Sequence, residues 1–338
     1  MIDKFKLIIA IPTFCGAKRV DLLVNHLSSK NFLNNSIIKI IIIENPSKNN
    51  IRKNAFRQFK NIEYLRNEQQ IGLHGSWLRI LEIYHNQTDW LMFLGDDDII
   101  NFNSNTLLDL ISNAEEKSTE IILSIENSNS YKKFIKLKKK LFDNTLIEHC
   151  FINYKKYITF SKLSDNFSFI SSSIFKPNNR LFKAALENKL RMSNTDCLHY
   201  LTLFPYAYRS NKKIMILNHP NMISSVLRKN RTNYSNEEIE YLKTFKLNKI
   251  YFNLFVWIKC EKDLININEK KQDLNQLLEL HKELVFASFV SWIFNSKSKG
   301  IVFIIKLLID YLKGVKEAKA ILRFMIYRFR IKILSNLK

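Results

Sequence analysis

Three consecutive carboxylates, Asp96-Asp97-Asp98, follow the apolar run Trp90-Leu91-Met92-Phe93-Leu94 and Gly95. Neighbouring carboxylates repel one another, so placing them at the end of a buried run costs stability unless something offsets the charge. A divalent cation does this. Mg²⁺ and Mn²⁺ take oxygen ligands, and Mg²⁺ typically uses one or two protein carboxylates together with substrate phosphates. The triplet therefore points to metal-assisted handling of a phosphorylated ligand. The competing reading is an acidic turn or helix start, where Asp complements the dipole.

The elements that must position these residues are legible around them. Leu7 to Ile11, Ile37 to Ile43, Ile62 to Leu65 and Trp90 to Leu94 are short, β-rich apolar runs. Between them Arg19 to Leu27, Ile51 to Phe59 and Trp77 to Tyr84 carry apolar residues at three- and four-residue steps, as helices covering a sheet do. The pattern is β-α-β-α-β-α-β. Near-continuous apolar strands joined by helical crossovers predict an α/β fold with a mostly parallel sheet, buried on both faces. Ligands bind such sheets at the carboxyl ends of the strands, where strand order reverses. Thr13, the pair Glu44 and Asn45, the pair Arg66 and Asn67, and the acidic triplet all fall at those ends and are expected to converge on one edge.

With these residues in place, the chain resembles family 2 glycosyltransferases of the GT-A fold, especially bacterial enzymes that build surface polysaccharides or other lipid-linked glycans. The matching stretches are Ile9-Ala10-Ile11-Pro12-Thr13-Phe14, Ile43-Glu44-Asn45-Pro46-Ser47, Leu65 to Gly72, and Trp90 to Asp98. Their order and spacing are more specific than any one of them. The resemblance implies that Pro12 and Thr13 lie beside the nucleotide and that Glu44 contacts its base or ribose, with Asn45 beside it at the same strand end. Arg66 is a candidate phosphate partner, and Asn67 and Gly72 would shape the loop near base and diphosphate. In the DXD-type region Asp96 would hydrogen-bond the ribose and Asp97 would ligate Mg²⁺ or Mn²⁺ bridging the diphosphate, supported by Asp98. Gly95 stands where the usual DXD has its first Asp, which leaves the division of labour among the three aspartates open.

Inverting transfer needs a carboxylate to accept the acceptor hydroxyl's proton as that oxygen attacks the anomeric carbon. Asp196 lies in Ser193 to Leu201, before a helix-like stretch, a turn and the apolar run Ile214 to Leu217. That layout is similar to the family's base motif, although Thr195 stands where a Glu usually precedes the base. Asp196 is the preferred base, Asp165 its alternative, and a role as a helix N-cap the competing reading. Ser171-Ser172-Ser173 resembles the family segment lining the acceptor side, or is a buried strand of small residues. His219 is a minor metal or diphosphate candidate.

The 338 residues carry 53 Lys+Arg against 31 Asp+Glu, a formal net charge of +22. Residues 1–100 contribute 13 Lys/Arg and 10 Asp/Glu, so the excess lies later. It collects at Tyr131 to Lys140, with six lysines, and at Lys297 to Lys338, where 11 Lys/Arg meet two acids. From about residue 231 the pattern is helical, and its end mixes aromatic and aliphatic residues with Arg and Lys, as suits an anionic membrane surface.

The expected organisation is a catalytic domain over 1–230, with a nucleotide-sugar half (1–100) and an acceptor half (101–230), followed by a basic helical region over 231–338. The expected partners are a nucleotide-sugar donor, UDP-linked by preference, a lipid-linked glycan acceptor and an anionic membrane. Four dispersed cysteines without a CxxC pair suggest a reducing compartment, and a charged start argues against a secretory signal. The expected location is the cytoplasmic face of the inner membrane, held peripherally. A sugar-phosphate nucleotidyltransferase is one alternative, weakened because only Gly16, Lys18 and Arg19 stand where a triphosphate loop belongs. A nucleic-acid-binding protein is the other, weakened because the basic residues avoid the predicted site edge and no nucleic-acid motif is evident.

Overall fold

In the computed structural model the four apolar runs form the parallel strands β1 (Phe5–Phe14), β2 (Ile38–Asn45), β3 (Ile62–Arg66) and β4 (Thr88–Phe93). The structure describes residues 4–48, 51, 56–124, 149–153, 170–191, 198, 202–203, 206–207, 213–217 and 223–224, together with 305, 308–309, 311–314, 322 and 326. The chain divides into two units, Met1–Tyr241 and Leu242–Lys338, and the elements below belong to the first. Helices α1 (Ala17–Ser29) and α2 (Gly72–Tyr84) are the crossovers after β1 and β3. Next come the two-residue strand β5 (Ile99–Ile100), α3 (Ser104–Glu116), β6 (Ile121–Ser124) and β7 (His149–Asn153). A 3₁₀ turn over Ile170–Ser172 leads into β8 (Ser173–Phe175), followed by α4 (Asn179–Arg191), β9 (Lys213–Leu217) and β10 (Ile223–Ser224).

The main sheet has eight strands in the order β3-β2-β1-β4-β8-β6-β9-β7. β1 to β4 are mutually parallel, β8 runs antiparallel between β4 and β6, and β7 is antiparallel to β9. Strand order reverses between β1 and β4, because β1 leads outward to β2 on one side while β4 lies on the other. Open α/β sheets take ligands in the crevice at the carboxyl ends of two such strands.

The strands run further than their apolar cores alone predict. Pairing of β1 with β2 continues through Pro12↔Ile43, Thr13↔Glu44 and Phe14↔Asn45, whereas pairing of β1 with β4 stops at Ala10↔Phe93. Pro12 has no N–H to give and sits beyond the last β4 partner, where none is needed. Thr13, Glu44, Asn45 and Arg66 therefore lie on the final strand positions rather than after them.

One expected element differs. Ile51 to Phe59 reads as helical, yet the described part of it, Ile51 and Phe56 to Phe59, is loop and turn. The Ile51 N–H is held by Glu44 Oε1 at 2.9 Å, and Ile51 and Phe56 are buried as anchors of the connection. Their apolar spacing serves a loop folded onto the sheet.

Both faces of the sheet are covered, which explains the unbroken β-branched run of β2. Ile38, Ile40 and Ile42 join Leu7, Ile9 and Ile11 beneath Val20, Leu23 and Leu27 of α1 and Leu107, Leu110 and Ile111 of α3. Each such fully buried aliphatic side chain contributes about 1.5–3 kcal/mol. On the opposite face Trp77 of α2 packs against Phe93 and Phe175, with ring centroids 5.8 and 6.4 Å away. α4 lies beside α2, where Phe182 stacks on His85 at 5.0 Å. Asn103 caps α3 by accepting the Thr106 N–H at 2.9 Å.

Candidate active site

The register of β1, β2 and β3 sets Thr13, Glu44 and Arg66 in one row along the carboxyl edge. β4 ends beside them, and its following turn brings the acidic triplet to the crevice between β1 and β4.

Asp96 is held at two points. Its Oδ2 accepts the Thr13 hydroxyl at 2.5 Å and Arg19 Nη2 at 3.0 Å, and its Oδ1 accepts Arg19 Nε at 3.3 Å. Arg19, two residues inside α1, is 2% exposed. This assembly closes over Gly16: a Cβ there would lie 2.1 Å from both Asp96 Oδ2 and Thr13 Oγ1. Only glycine fits. Burial pushes the Asp96 carboxyl above its usual range and the neighbouring Asp97 adds to this, against the opposing pull of Arg19 and Thr13.

Asp97 and Asp98 turn toward Gly95, where a Cβ would lie 3.0 Å from Asp97 Oδ1 and 2.9 Å from Asp98 Oδ2. Asp98 is 3% exposed and accepts the Ser171 hydroxyl at 2.5 Å, while Ser171 Oγ accepts the Gly95 N–H at 2.8 Å. The serine-rich segment thus clamps the turn that carries the aspartates, and Asp97 is the more accessible of the pair. Among the described residues no group of three His, Cys, Asp or Glu side chains is placed to hold a metal. Asp97, with Asp98 beside it, offers the hard carboxylate oxygens that Mg²⁺ or Mn²⁺ would take.

The ends of β2 and β3 are organised by buried amides. Asn45 Oδ1 accepts Asn67 Nδ2 and the Ile71 N–H, each at 3.1 Å, and both asparagines donate to Ser76 Oγ. Arg79 Nη1 donates to Asn67 Oδ1 at 2.5 Å and to the Arg66 carbonyl at 3.1 Å. Gly72, at φ +69, starts α2 in a conformation that glycine tolerates, and its carbonyl accepts Asn45 Nδ2 at 3.4 Å. Glu44 is fully buried, accepting the Ile51 N–H on Oε1 and the Tyr64 hydroxyl on Oε2. Burial and the bond to Glu44 push the Tyr64 hydroxyl upward.

Thr13, Glu44, Asn45, Arg66, Asn67 and Asp96 to Asp98 thus fall at the carboxyl ends of their strands, as the strand ends predict, with Pro12 on β1 and Gly72 at the head of α2. Asp165, Asp196, His219 and the lysine-rich stretch Tyr131 to Lys140 fall outside the described residues. Sequence reasoning passed over Arg19, Tyr64, Ser76 and Arg79 as site residues. Arg19 did carry a signal: it extends the buried stripe of Leu23 and Leu27 at four-residue steps, an odd place for an unpaired charge.

The mostly parallel α/β sheet, with an acidic turn at its switch point, is the class of fold that the motifs predict. The model of Glycosyl transferase family 2 matches residues 8–198, and the chain belongs to that family. It is a glycosyltransferase with the GT-A fold. Among solved structures it is similar to S. aureus TarS 1-349, at 14% identity and a TM-score of 0.50, covering 82% of this chain and 70% of that one. The same TarS fragment in complex with UDP-GlcNAc matches at 14% identity and 0.47, over 81% and 70%. The mannosyltransferase PcManGT from Pyrobaculum calidifontis, in complex with GDP-Man and Mn²⁺, matches at 7% identity and 0.46, over 97% and 86%. Comparison with curated protein sequences finds no match.

Proposed function

We propose that this glycosyltransferase moves a sugar from a UDP-sugar to a lipid-linked glycan acceptor with inversion, aided by Mg²⁺ or Mn²⁺, in surface-polysaccharide synthesis. The observation that carries the reading is the convergence of Thr13, Asp96, Asp97 and the Ser171-clamped Asp98 at the switch point between β1 and β4. Sugar transfer is what the family does, and an anionic diphosphate leaving group is what a cation-binding acidic turn at that point serves.

The residues divide the work as follows. The Asn45–Asn67–Ser76 network shapes the nucleoside pocket, and Glu44 pins the loop after β2 through Ile51. Asp96 takes a ribose hydroxyl, for which Oδ1 keeps acceptor capacity. Asp97, with Asp98 behind it, holds the cation, which when bound neutralises charge on the departing diphosphate. The acceptor hydroxyl attacks the anomeric carbon as the bond to the diphosphate oxygen breaks, and Asp196 takes the hydroxyl proton.

The basic region over 231–338 holds the enzyme on the cytoplasmic face of an anionic membrane. Support comes from Ile305, Leu308, Ile309 and Leu312, which are helical, exposed and spaced as one apolar face, within a segment rich in Lys and Arg. Among the described residues no helix is long and apolar enough to cross a membrane. Co-sedimentation with anionic vesicles but not with neutral ones is the expected result.

The test is a donor screen by nucleotide release with Mn²⁺ or Mg²⁺, run beside Asp97→Ala and Asp196→Asn. Loss of release in both variants supports the assignment; full activity in both overturns it.

A further inference from the structure

We infer that Arg19 is a positioning residue for the donor ribose: it clasps Asp96 across Gly16 and leaves one carboxylate oxygen aimed for a sugar hydroxyl. The inference rests on the proposed nucleotide-sugar reading and assigns to one buried side chain the setting of ribose recognition.

Three observations carry it. The guanidinium grips both Asp96 oxygens, through Nη2 to Oδ2 at 3.0 Å and Nε to Oδ1 at 3.3 Å. A two-point hold of this kind fixes a carboxylate's plane as well as its place, which a lysine ammonium does not. The two oxygens are unequally committed: Oδ2 also receives the Thr13 hydroxyl at 2.5 Å, so the remaining acceptor capacity lies on Oδ1. The absent Cβ of Gly16 lets Thr13, Asp96 and Arg19 close together, since a Cβ there would collide with the first two at 2.1 Å and crowd Arg19 Nη2 at 3.1 Å.

Arg19 is badly placed to serve the diphosphate directly. Its side chain is only 3% exposed, and Nη2 turns back toward the Phe14 carbonyl at 3.5 Å. Its effect reaches the ligand through Asp96. The head of α1 adds to this, because the first helical N–H groups and the dipole favour the anionic carboxylate beside Gly16.

The experiment measures binding of UDP, 2′-deoxy-UDP, 3′-deoxy-UDP and uridine to the full chain in Mn²⁺, for wild type, Arg19→Met, Arg19→Lys, Thr13→Val and Asp96→Asn. Wild type should prefer UDP over one of the deoxy analogues by about tenfold, the worth of one hydrogen bond to a charged group. Arg19→Met should abolish that preference while changing affinity for the deoxy analogue by less than about threefold. Arg19→Lys should keep part of it. Thermal denaturation reports folding, and if Arg19→Met does not fold, Arg19→Lys and Thr13→Val carry the comparison.

An equal loss for UDP and both deoxy analogues, with uridine unaffected, would make Arg19 a phosphate ligand and overturn the inference. So would an unchanged preference in Arg19→Met. An Asp96→Asn enzyme that keeps the preference removes the ribose contact as well. Loss of Mn²⁺-dependent UDP binding in Asp97→Ala, alongside any of these, leaves the donor-site reading standing.

Discussion

The two edges of the sheet use the same chemistry to opposite ends. At the amino edge Glu115, on the last turn of α3, accepts Lys6 Nζ at 2.6 Å and Trp90 Nε1 at 3.0 Å, with Lys176 Nζ 3.6 Å away. Burial works to raise its carboxyl, but these donors and charges outweigh it and hold the group below the usual range. At the carboxyl edge Asp96 also has a cation and a neutral donor, yet burial wins and the group is pushed up. A carboxylate that serves the fold is given enough positive charge to be comfortable. Asp96 is left short, beside two more carboxylates, which is what the proposed ligand role asks of it. The linkage signs follow. Glu115 contributes stability above its unfolded value, lost as pH falls through the lower folded one. Asp96 contributes stability below its unfolded value, lost as pH rises through the higher folded one.

The sharpest break between the edges comes from Asp97→Ala. On the proposed reading Asp97 would hold the cation that offsets charge on the leaving diphosphate, and losing that stabilisation should lower turnover by about 10²–10³-fold. Because Asp97 is only half-buried and stands beside two further carboxylates, the melting temperature of the variant should match wild type or exceed it. Steady-state nucleotide release with Mn²⁺, together with a thermal melt, checks both halves, and a large fall in stability would mean that the triplet belongs to the fold.

Arg19→Met comes next, as a stability effect at the carboxyl edge. Breaking a buried pair from one side leaves an uncompensated charge and costs about 3 kcal/mol. Pairing it with Asp96→Asn should recover part of that loss, since neither partner is then charged. Urea denaturation of the two single variants and the double variant gives the coupling.

How much of this was legible depends on what each residue answers to. Strands β1 to β4 were readable because burial on both faces writes an unbroken apolar run into local sequence. So was the acidic triplet, whose repulsion makes it conspicuous at any strand end. The Ile51 to Phe59 connection was misread because residues anchoring a loop to a sheet can share a helix's spacing. Arg19 was passed over because its meaning depends on Asp96, 77 residues further along the chain. Ser171 reads as acceptor-side lining or small-residue strand, and its hold on Asp98 and Gly95 appears only once β8 is inserted beside β4. The burial of Arg19 leaves a periodic trace, in line with Leu23 and Leu27, but the identity of its long-range partner leaves none.

At the amino edge the effects should be smaller and should depend on pH in one direction. Glu115→Gln keeps the shape but gives up charge-assisted bonds from Lys6. With the side chain 28% exposed, solvent screening reduces the loss to about 1 kcal/mol near neutrality. The difference from wild type should shrink as pH falls through the folded value of Glu115, so the two stability curves converge in acid. Convergence on raising the pH instead would contradict the lowered carboxyl.

Lys4→Ala should do least. Lys4 Nζ pairs with Asp89 at 2.8 Å, closer than most contacts at this edge, but its side chain is 52% exposed and that of Asp89 37%. Distance alone would rank this pair beside Lys6–Glu115. Exposure predicts otherwise, because water already solvates both charges and holding a long lysine in place costs side-chain entropy, leaving less than about 0.5 kcal/mol. Lys6 bridges Glu115 and Asp89 from a less exposed position, 2.6 and 3.7 Å from the two, so Lys6→Ala should cost more. Denaturation midpoints for the two variants at low and at high salt test this ranking. If Lys4→Ala proved the more damaging, stability at the amino edge would follow proximity of charges rather than their withdrawal from water, and the contrast with the buried carboxylates at the other edge would have to be argued on different grounds.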